Sequence, residues 1–355
     1  MEANIEPAPD SNLGQCLVTG AAGFVGRHLV EALLERGCQV RALVRNTPLE
    51  MEHENLQCIN GDIQNATQMV LACQGIDTVF HVAAHIALLG GAGATAAYRD
   101  QAFAINVAGT QNVIKACQEQ GVKRLVHTSS VDVCFNNEVN LHMDENTPYA
   151  THFICLYTET KIQAEQAVLA ANDPAGLLTC ALRPDGIWGT GGSIMLDTLV
   201  EQLQAGNMVA RIGGQGGRHD HVHVDNLVHA HLLAAKALTP ASPVAGSAYF
   251  ISDGEPAAMF DFVKPFFEGL GYQVPKANIP AKPVYLLMKA WEWLHFKIGI
   301  AEPLFTPHEL NKLTISHVVS SDAAKRDFGY QPIKSVADGM TESIAYYREQ
   351  VKSTG

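Results

Sequence analysis

Tyr157 and Lys161 stand four residues apart in the run Tyr157-Thr158-Glu159-Thr160-Lys161, a spacing that puts a phenol and an ammonium on one face of a helix. A tyrosine in water ionises at about pH 10. A cation beside it favours the phenolate and lowers that value, so the pair could exchange a proton with an alcohol or a ketone. Upstream, an apolar run closes on His127-Thr128-Ser129-Ser130, where a hydroxyl could face the tyrosine. Ser130 in that place would hydrogen-bond and polarise a substrate oxygen. Either motif alone is common, and their weight comes from the combination.

A proton donor of this kind needs a partner that takes or gives hydride. The run Val18-Thr19-Gly20-Ala21-Ala22-Gly23-Phe24-Val25-Gly26 places glycine at i, i+3 and i+6 between a strand-like and a helix-like segment. Gly20 permits a tight turn, Gly23 lets backbone approach a pyrophosphate, and Gly26 lets helix pack on strand. The N–H groups that open the helix, Phe24 and Val25 among them, add positive dipole for the phosphates. The pattern predicts a nicotinamide dinucleotide, NAD(P). An NAD site usually carries an acid at the end of its second strand, whereas Val44-Arg45 stands there. Arg45 could pair with a 2′-phosphate, which favours NADP(H). The other reading is a solvated Arg45, with Asn46 or a backbone group on the ribose. Further on, Gly61-Asp62-Ile63 ends a strand, where Asp62 could accept from the adenine amino group or simply close a turn.

The elements that position these groups follow from the periodicity. Cys16–Thr19, Gln39–Val44, Leu56–Asn60, Thr78–Val82, Arg124–Thr128 and Leu178–Leu182 are strand-like in length and content. Val25–Arg36, Ala104–Gln120 and Thr158–Ala171 carry apolar residues at helical spacing. The alternation predicts an α/β fold, a Rossmann-type doubly wound parallel sheet with a smaller C-terminal substrate lobe. Residues 1–13 read as a frayed tail and 14–190 as the NAD(P)-binding domain, with returning elements near 220–252, including strand-like Ala248–Ser252. Residues 191–219 and 253–355 read as the substrate-binding lobe. Within it Ile279–Ile300 carries Lys282, Lys289, Glu292 and Lys297, too many charges for a membrane span. It reads as a helix packing Leu287, Trp291, Leu294 and Ile298 on its own lobe, with peripheral membrane contact as an alternative.

Composition bounds the rest. The chain has 355 residues, 47% hydrophobic and 17% charged, with a formal charge of −12. That acidity, without a basic run, argues against nucleic-acid binding. The eight cysteines include no CxxC and sit in apolar runs, which predicts buried free thiols in a reducing, cytoplasmic setting. His219, His221 and His223 would share a face of a strand, yet the stretch leads into Asp225-Asn226 and a helix, and no metal site is assigned. His229 and His231, two apart on a helix, cannot share a face.

The constellation resembles the extended short-chain dehydrogenase/reductase family. The resemblance rests on Thr19–Gly26, Asp62-Ile63, His81-Val82-Ala83-Ala84, Asn106, Thr128-Ser129-Ser130, Tyr157 with Lys161, and Arg183-Pro184. It implies that Tyr157 is the acid/base, that Lys161 lowers its pKa and holds the nicotinamide ribose, and that Ser130 orients the substrate. Ser130 is preferred to Ser129 because Ser130-Val131-Asp132-Val133 best matches the family's Ser-x-x-Val. The resemblance further links Asn106 to a proton relay and puts Ala83, Ala84, Thr128, Pro184 and Ile187 against the cofactor. It also makes a homodimer through Ala104–Gln120 and Thr158–Ala171 the expected assembly.

Tyr157–Asp173, Leu182–Gly189, His223–Ala235, Phe250–Pro256 and Phe328–Pro332 resemble the 3β-hydroxysteroid dehydrogenase branch. Sterol-4α-carboxylate 3-dehydrogenases look similar, as do bacterial 2-alkyl-3-oxoalkanoate reductases. The resemblance implies an NAD(P)-dependent alcohol/ketone couple on a bulky apolar substrate, foremost a 3β-hydroxysteroid or sterol, including a 4α-carboxysterol that would then lose carbon dioxide. The NAD-using sterol enzymes usually have an acid where Arg45 stands. Three other readings remain: a long-chain β-keto acid reductase, a sugar-nucleotide epimerase and a non-catalytic dinucleotide sensor. The apolar, proline-interrupted stretch after Val274 counts against the epimerase, and the intact Ser130, Tyr157 and Lys161 count against the sensor.

Overall fold

Short runs rich in valine, leucine and cysteine, mostly buried on both faces, suit a sheet covered by helices on either side. The computed structural model describes residues 12–90 and 93–353. Its main sheet has seven strands: β1 (Cys16–Thr19), β2 (Val40–Val44), β3 (Leu56–Asn60), β4 (Thr78–His81), β5 (Arg124–Thr128), β6 (Leu178–Pro184) and β7 (Ser247–Ile251). All pairings are parallel and the order is β7-β6-β5-β4-β1-β2-β3. The order reverses between β1 and β4, which opens a crevice at their carboxyl ends, the place where such sheets bind ligands. There Thr19 lies beside His81 and His81 beside His127. This is the Rossmann-type sheet expected from the sequence.

Two apolar clusters hold the helical layers. On one face α1 (Phe24–Glu35) buries Val25, Leu29, Val30, Leu33 and Leu34, packing with Leu227, Ala230 and Ala234 of a helix over Val224–Ala237. On the other lie α2 (Ala66–Ala72), α3 (Ala96–Phe103), α4 (Gly109–Gln120) and α5 (Leu156–Ala170), whose Met69, Val113, Cys117 and Val168 share one cluster. The helix expected over Ala104–Gln120 opens instead with a π-helical turn, Ala104–Ala108. Such turns recur at functional sites, and this one contains Asn106.

The lobe packs Trp188, Phe260, Phe266, Phe267 and Tyr347 together. It also contains a small mixed sheet in the order Ala257–Ala258, Arg218–His219, His317–Val319, Asn140–Met143. Residues 1–11 of the expected tail lie outside the described residues, but Leu13, also placed there, is buried, and its carbonyl accepts the Thr78 hydroxyl at 2.7 Å. All eight cysteines are free thiols, seven buried and Cys58 exposed.

The segment expected over Ile279–Ile300 is a helix over Ala281–Ile298, but its packing differs from expectation. Leu287 and Ile298 are 59% and 69% exposed, while Met288 and Glu292 are buried. The cause is polar: Glu292 Oε1 accepts the Gly90 N–H at 2.7 Å, which turns the charged residue inward. No helix among the described residues is long and apolar enough to cross a membrane.

One buried ion pair ties α5 to β6. Arg183 donates to both carboxylate oxygens of Glu165 at 2.6–3.2 Å, and Glu165 is fully buried. Removing one partner would strand the other charge, at a cost of about 3–5 kcal/mol. Arg183→Met should lower the urea midpoint accordingly, and Glu165→Gln added to it should restore part of the loss. A midpoint unchanged in Arg183→Met would show that the pair contributes little.

Candidate active site

A cavity of about 1000 Å³ runs from the crevice into the lobe. Every cofactor or catalytic residue expected from the sequence lines it except Ser130, Asn106 and Pro184. At one end lies the glycine turn. Gly20 has φ +70°, and a Cβ there would stand 2.8 Å from Ala83 Cα. A Cβ on Gly26 would fall 2.1 Å from the Gly20 carbonyl oxygen, so helix and turn are in glycine-only contact. No side chain caps the N-terminus of α1, which leaves its N–H groups directed to the cavity. This cradle fits a dinucleotide pyrophosphate, with Gly20, Gly23 and Gly26 as its floor.

Arg45 and Asp62 lie further along the same end and meet each other, Nη1 to Oδ2 at 3.6 Å. Arg45 is half exposed, so this pair is weak and can exchange for another anion. Asp62 Oδ1 also accepts the Gln64 N–H at 2.9 Å, the geometry of a turn aspartate.

At the centre, Tyr157 is partly buried in the first turn of α5. Burial raises its pKa above the ordinary value, the Asp132 carboxylate raises it further, and the Ser130 hydroxyl facing it lowers it. The expectation that Lys161 governs this phenol is not what the geometry gives. The Lys161 ammonium donates instead to the Thr128 carbonyl at 2.7 Å and lies 3.2 Å from His127 Nε2. A buried cation needs several acceptors, and the end of β5 offers two. Burial lowers the Lys161 pKa to about 8 against the opposing effect of Glu165.

The two serines differ in setting. Ser130 Oγ accepts the Asp132 N–H at 3.2 Å, capping a short 3₁₀ turn, while it faces Tyr157. Ser129 lines the cavity with a buried hydroxyl that has no hydrogen-bond partner among the described residues. Asn106 lies behind the wall. Its amide accepts the His85 N–H at 2.7 Å and donates to the His85 carbonyl at 2.8 Å and the Thr160 hydroxyl at 3.0 Å.

Sequence reasoning missed a row of buried imidazoles under the crevice. His81 lies between the Thr19 and Thr110 hydroxyls at 2.8 and 2.9 Å. Because Thr110 gives its proton to the Asn106 carbonyl, His81 Nε2 donates and Nδ1 accepts. His231 Nδ1 faces the Leu227 carbonyl, so Nε2 accepts the Thr128 hydroxyl at 2.7 Å. Burial holds all three neutral, pushing His81 down to about 3, His231 to about 4 and His127 well below its usual value. Their strand-end and helix positions were visible, but their mutual approach depends on the fold.

The lobe side of the cavity holds a second unforeseen network. Lys312 bridges Asp132 Oδ1 at 3.2 Å and Asp185 Oδ1 at 2.9 Å. His308 Nε2 stands 3.5 Å from Asp132, and His317 Nε2 3.0 Å from Asp185. His219 and His221 are neighbours at 4.8 Å on this wall, whereas His223 packs against Trp188 instead. Burial opposes protonation of His308, but the Cys155 sulfur and the Asp132 carboxylate outweigh it and lift its pKa to about 10.

Comparison with known proteins identifies the family to which a chain of this fold belongs. Residues 17–281 match the model of the 3-beta hydroxysteroid dehydrogenase/isomerase family. The chain belongs to that family. It is accordingly an oxidoreductase acting on CH–OH groups, interconverting a secondary alcohol and a ketone. It is 42% identical over 344 residues to a 3-beta-hydroxysteroid dehydrogenase of Mycolicibacterium neoaurum, covering 97% of this chain and 94% of that one. It is 34% identical to the human sterol-4-alpha-carboxylate 3-dehydrogenase (decarboxylating), covering 98% and 92%. Among solved structures, MoeE5 in complex with UDP-glucose and NAD superposes with TM-score 0.69 at 25% identity, covering 95% of this chain and 100% of that one.

For this family member the raised His308 pKa has a consequence for stability. A folded-state pKa of about 10, above the ordinary value of about 6.5, contributes stability at low pH that is lost as pH rises through about 10. The urea midpoint should fall across that window, and His308→Gln should flatten the fall. Equal slopes in the two proteins would remove His308 from the account.

Proposed function

We propose that the chain oxidises or reduces the C3 oxygen function of a 3β-hydroxysteroid or sterol. The observation that supports it best is the meeting of Tyr157, faced by Ser130, with the glycine cradle about one large cavity whose lobe end is lined by Met259, Phe260, Val263 and Leu313. A nicotinamide dinucleotide held on Gly20–Gly26 supplies the hydride acceptor or donor. Tyr157 Oη takes the hydroxyl proton in oxidation and returns it in reduction. Ser130 Oγ, which faces Tyr157 and favours its phenolate, hydrogen-bonds the substrate oxygen. Lys161, on the cavity lining, would hold the nicotinamide ribose of a bound cofactor, and Asn106 would join the proton path.

A neutral alcohol suits the cavity better than a 4α-carboxysterol. Lys312 and His308, cations on the lobe wall, are already paired with the carboxylates of Asp132 and Asp185. No surplus positive charge is left there for a substrate carboxylate. At the other end, Arg45 supports the phosphorylated cofactor, since its exposed pairing with Asp62 exchanges readily for a 2′-phosphate.

Two measurements test this. With a 3β-hydroxysteroid as substrate, Tyr157→Phe should lower kcat about 10²–10⁴-fold with KM little changed. No turnover of 3β-alcohols by the wild type, or turnover that survives in Tyr157→Phe, would sink the reading. In cofactor titrations the wild type should prefer NADPH to NADH and Arg45→Ala should lose that preference. A wild type that binds NAD+ and NADP+ equally would refute the role of Arg45 alone.

A further inference from the structure

The Lys161 ammonium is buried at the end of β5, where consecutive residues supply its hydrogen bonds. The Thr128 carbonyl accepts one N–H at 2.7 Å, and His127 Nε2 stands 3.2 Å from the same nitrogen. An ammonium has three N–H groups and no lone pair, so it can only donate. His127 Nε2 is therefore the acceptor, and the imidazole proton sits on Nδ1, on the side of the His81 backbone. Burial keeps that ring neutral, the state that has a lone pair to offer. The His81 ring, its own nitrogens committed to Thr19 and Thr110, stands against it with centres 5.1 Å apart.

An ammonium is tetrahedral, so two fixed N–H directions fix the third. Lys161 lines the cavity, and among the described residues its ammonium makes no other hydrogen bond, which leaves the third N–H for the cavity. The nearby carboxylates are engaged elsewhere, Glu165 by Arg183 and Asp132 by Lys312. The kind of acceptor matters too. A carboxylate in place of His127 would cancel the charge of the lysine, whereas a neutral imidazole aims it and leaves it charged. An apolar residue there would leave the ammonium a single anchor, about which it could turn.

We infer that His127 is a positioning residue for Lys161: its Nε2 and the Thr128 carbonyl hold two N–H groups of the ammonium and direct the third at a dinucleotide bound on the glycine cradle. The inference rests on the proposed contact between Lys161 and the nicotinamide ribose. A ribose hydroxyl is a small neutral target, so that contact depends on direction more than on charge. A hydrogen bond weakens steeply once its angle at the proton falls below about 120°. His127 stands outside the cavity lining and acts through Lys161 alone.

Titration of the full chain with NADPH and NADH reads the effect without turnover. In His127→Phe, which keeps a ring and loses the acceptor, affinity for the better-bound cofactor should fall about tenfold. His127→Gln, which offers an amide oxygen, should recover most of that loss. His127→Phe combined with Lys161→Met should bind no more weakly than Lys161→Met alone, because the first residue acts through the second. Nitrogen-15 NMR of the wild type, which needs no variant to fold, should show His127 as the Nδ1–H tautomer. A proton on Nε2 would overturn the inference, as would wild-type affinity in a folded His127→Phe chain or losses that add in the double variant. Unchanged affinity in Lys161→Met would remove the ribose contact itself, so failure of that underlying reading is told apart from failure of His127 alone.

Discussion

The site depends on one stripe of α5. Tyr157, Lys161 and Glu165 are spaced i, i+4 and i+8, so all three descend one side of the helix. Tyr157 reaches the cavity, Lys161 reaches the end of β5, and Glu165 reaches Arg183 on β6. The contacts of Lys161 and Glu165 are polar and buried, which makes them directional where apolar packing is not. The Glu165–Arg183 pair is further enclosed by the Tyr149 hydroxyl at 2.8 Å and by the Phe250 ring under the guanidinium. A helix anchored at its third turn by a charge pair cannot rotate without breaking it, and the phenol is thereby aimed.

Electrostatics divide the cavity into two regimes. Under the crevice burial keeps the imidazoles of His81, His127 and His231 neutral and lowers the Lys161 pKa to about 8. On the lobe side Asp132, Asp185, Lys312 and His308 are charged and mutually compensated. Asp132 belongs to that second group and also faces Tyr157, where its charge favours the protonated phenol. Proton affinity at the phenol is therefore a balance in which burial and Asp132 favour the protonated form and the Ser130 hydroxyl opposes them.

Much of this was legible in the sequence. The strands came within one or two residues of their observed bounds, because apolar runs bounded by turns have few other solutions. The glycine triplet, Arg45, Asp62 and the Tyr157–Lys161 pair were readable since each is a local pattern. What stayed hidden is non-local. His308 and Lys312 lie more than a hundred residues from Asp132 and Asp185, on a helix whose local pattern shows only a capping box at Thr306 and Glu309. The direction taken by the Lys161 ammonium was misjudged for a similar reason: helical spacing fixes a face, whereas the acceptors come from β5. The turned-in Glu292 shows the same limit, as its partner is a loop N–H from the other half of the chain.

Asn106 offers a last consequence. Its amide satisfies both backbone groups of His85 from a π-helical turn, much as a neighbouring strand would. The loop that carries Ala83 and Ala84 along the cavity is thus tied down through its main chain at His85. Side chains of that loop that line the cavity, such as Ile86 and Leu88, can vary in size and polarity without breaking that tie. A scaffold built this way can change what it accepts over evolutionary time while the course of its backbone stays put.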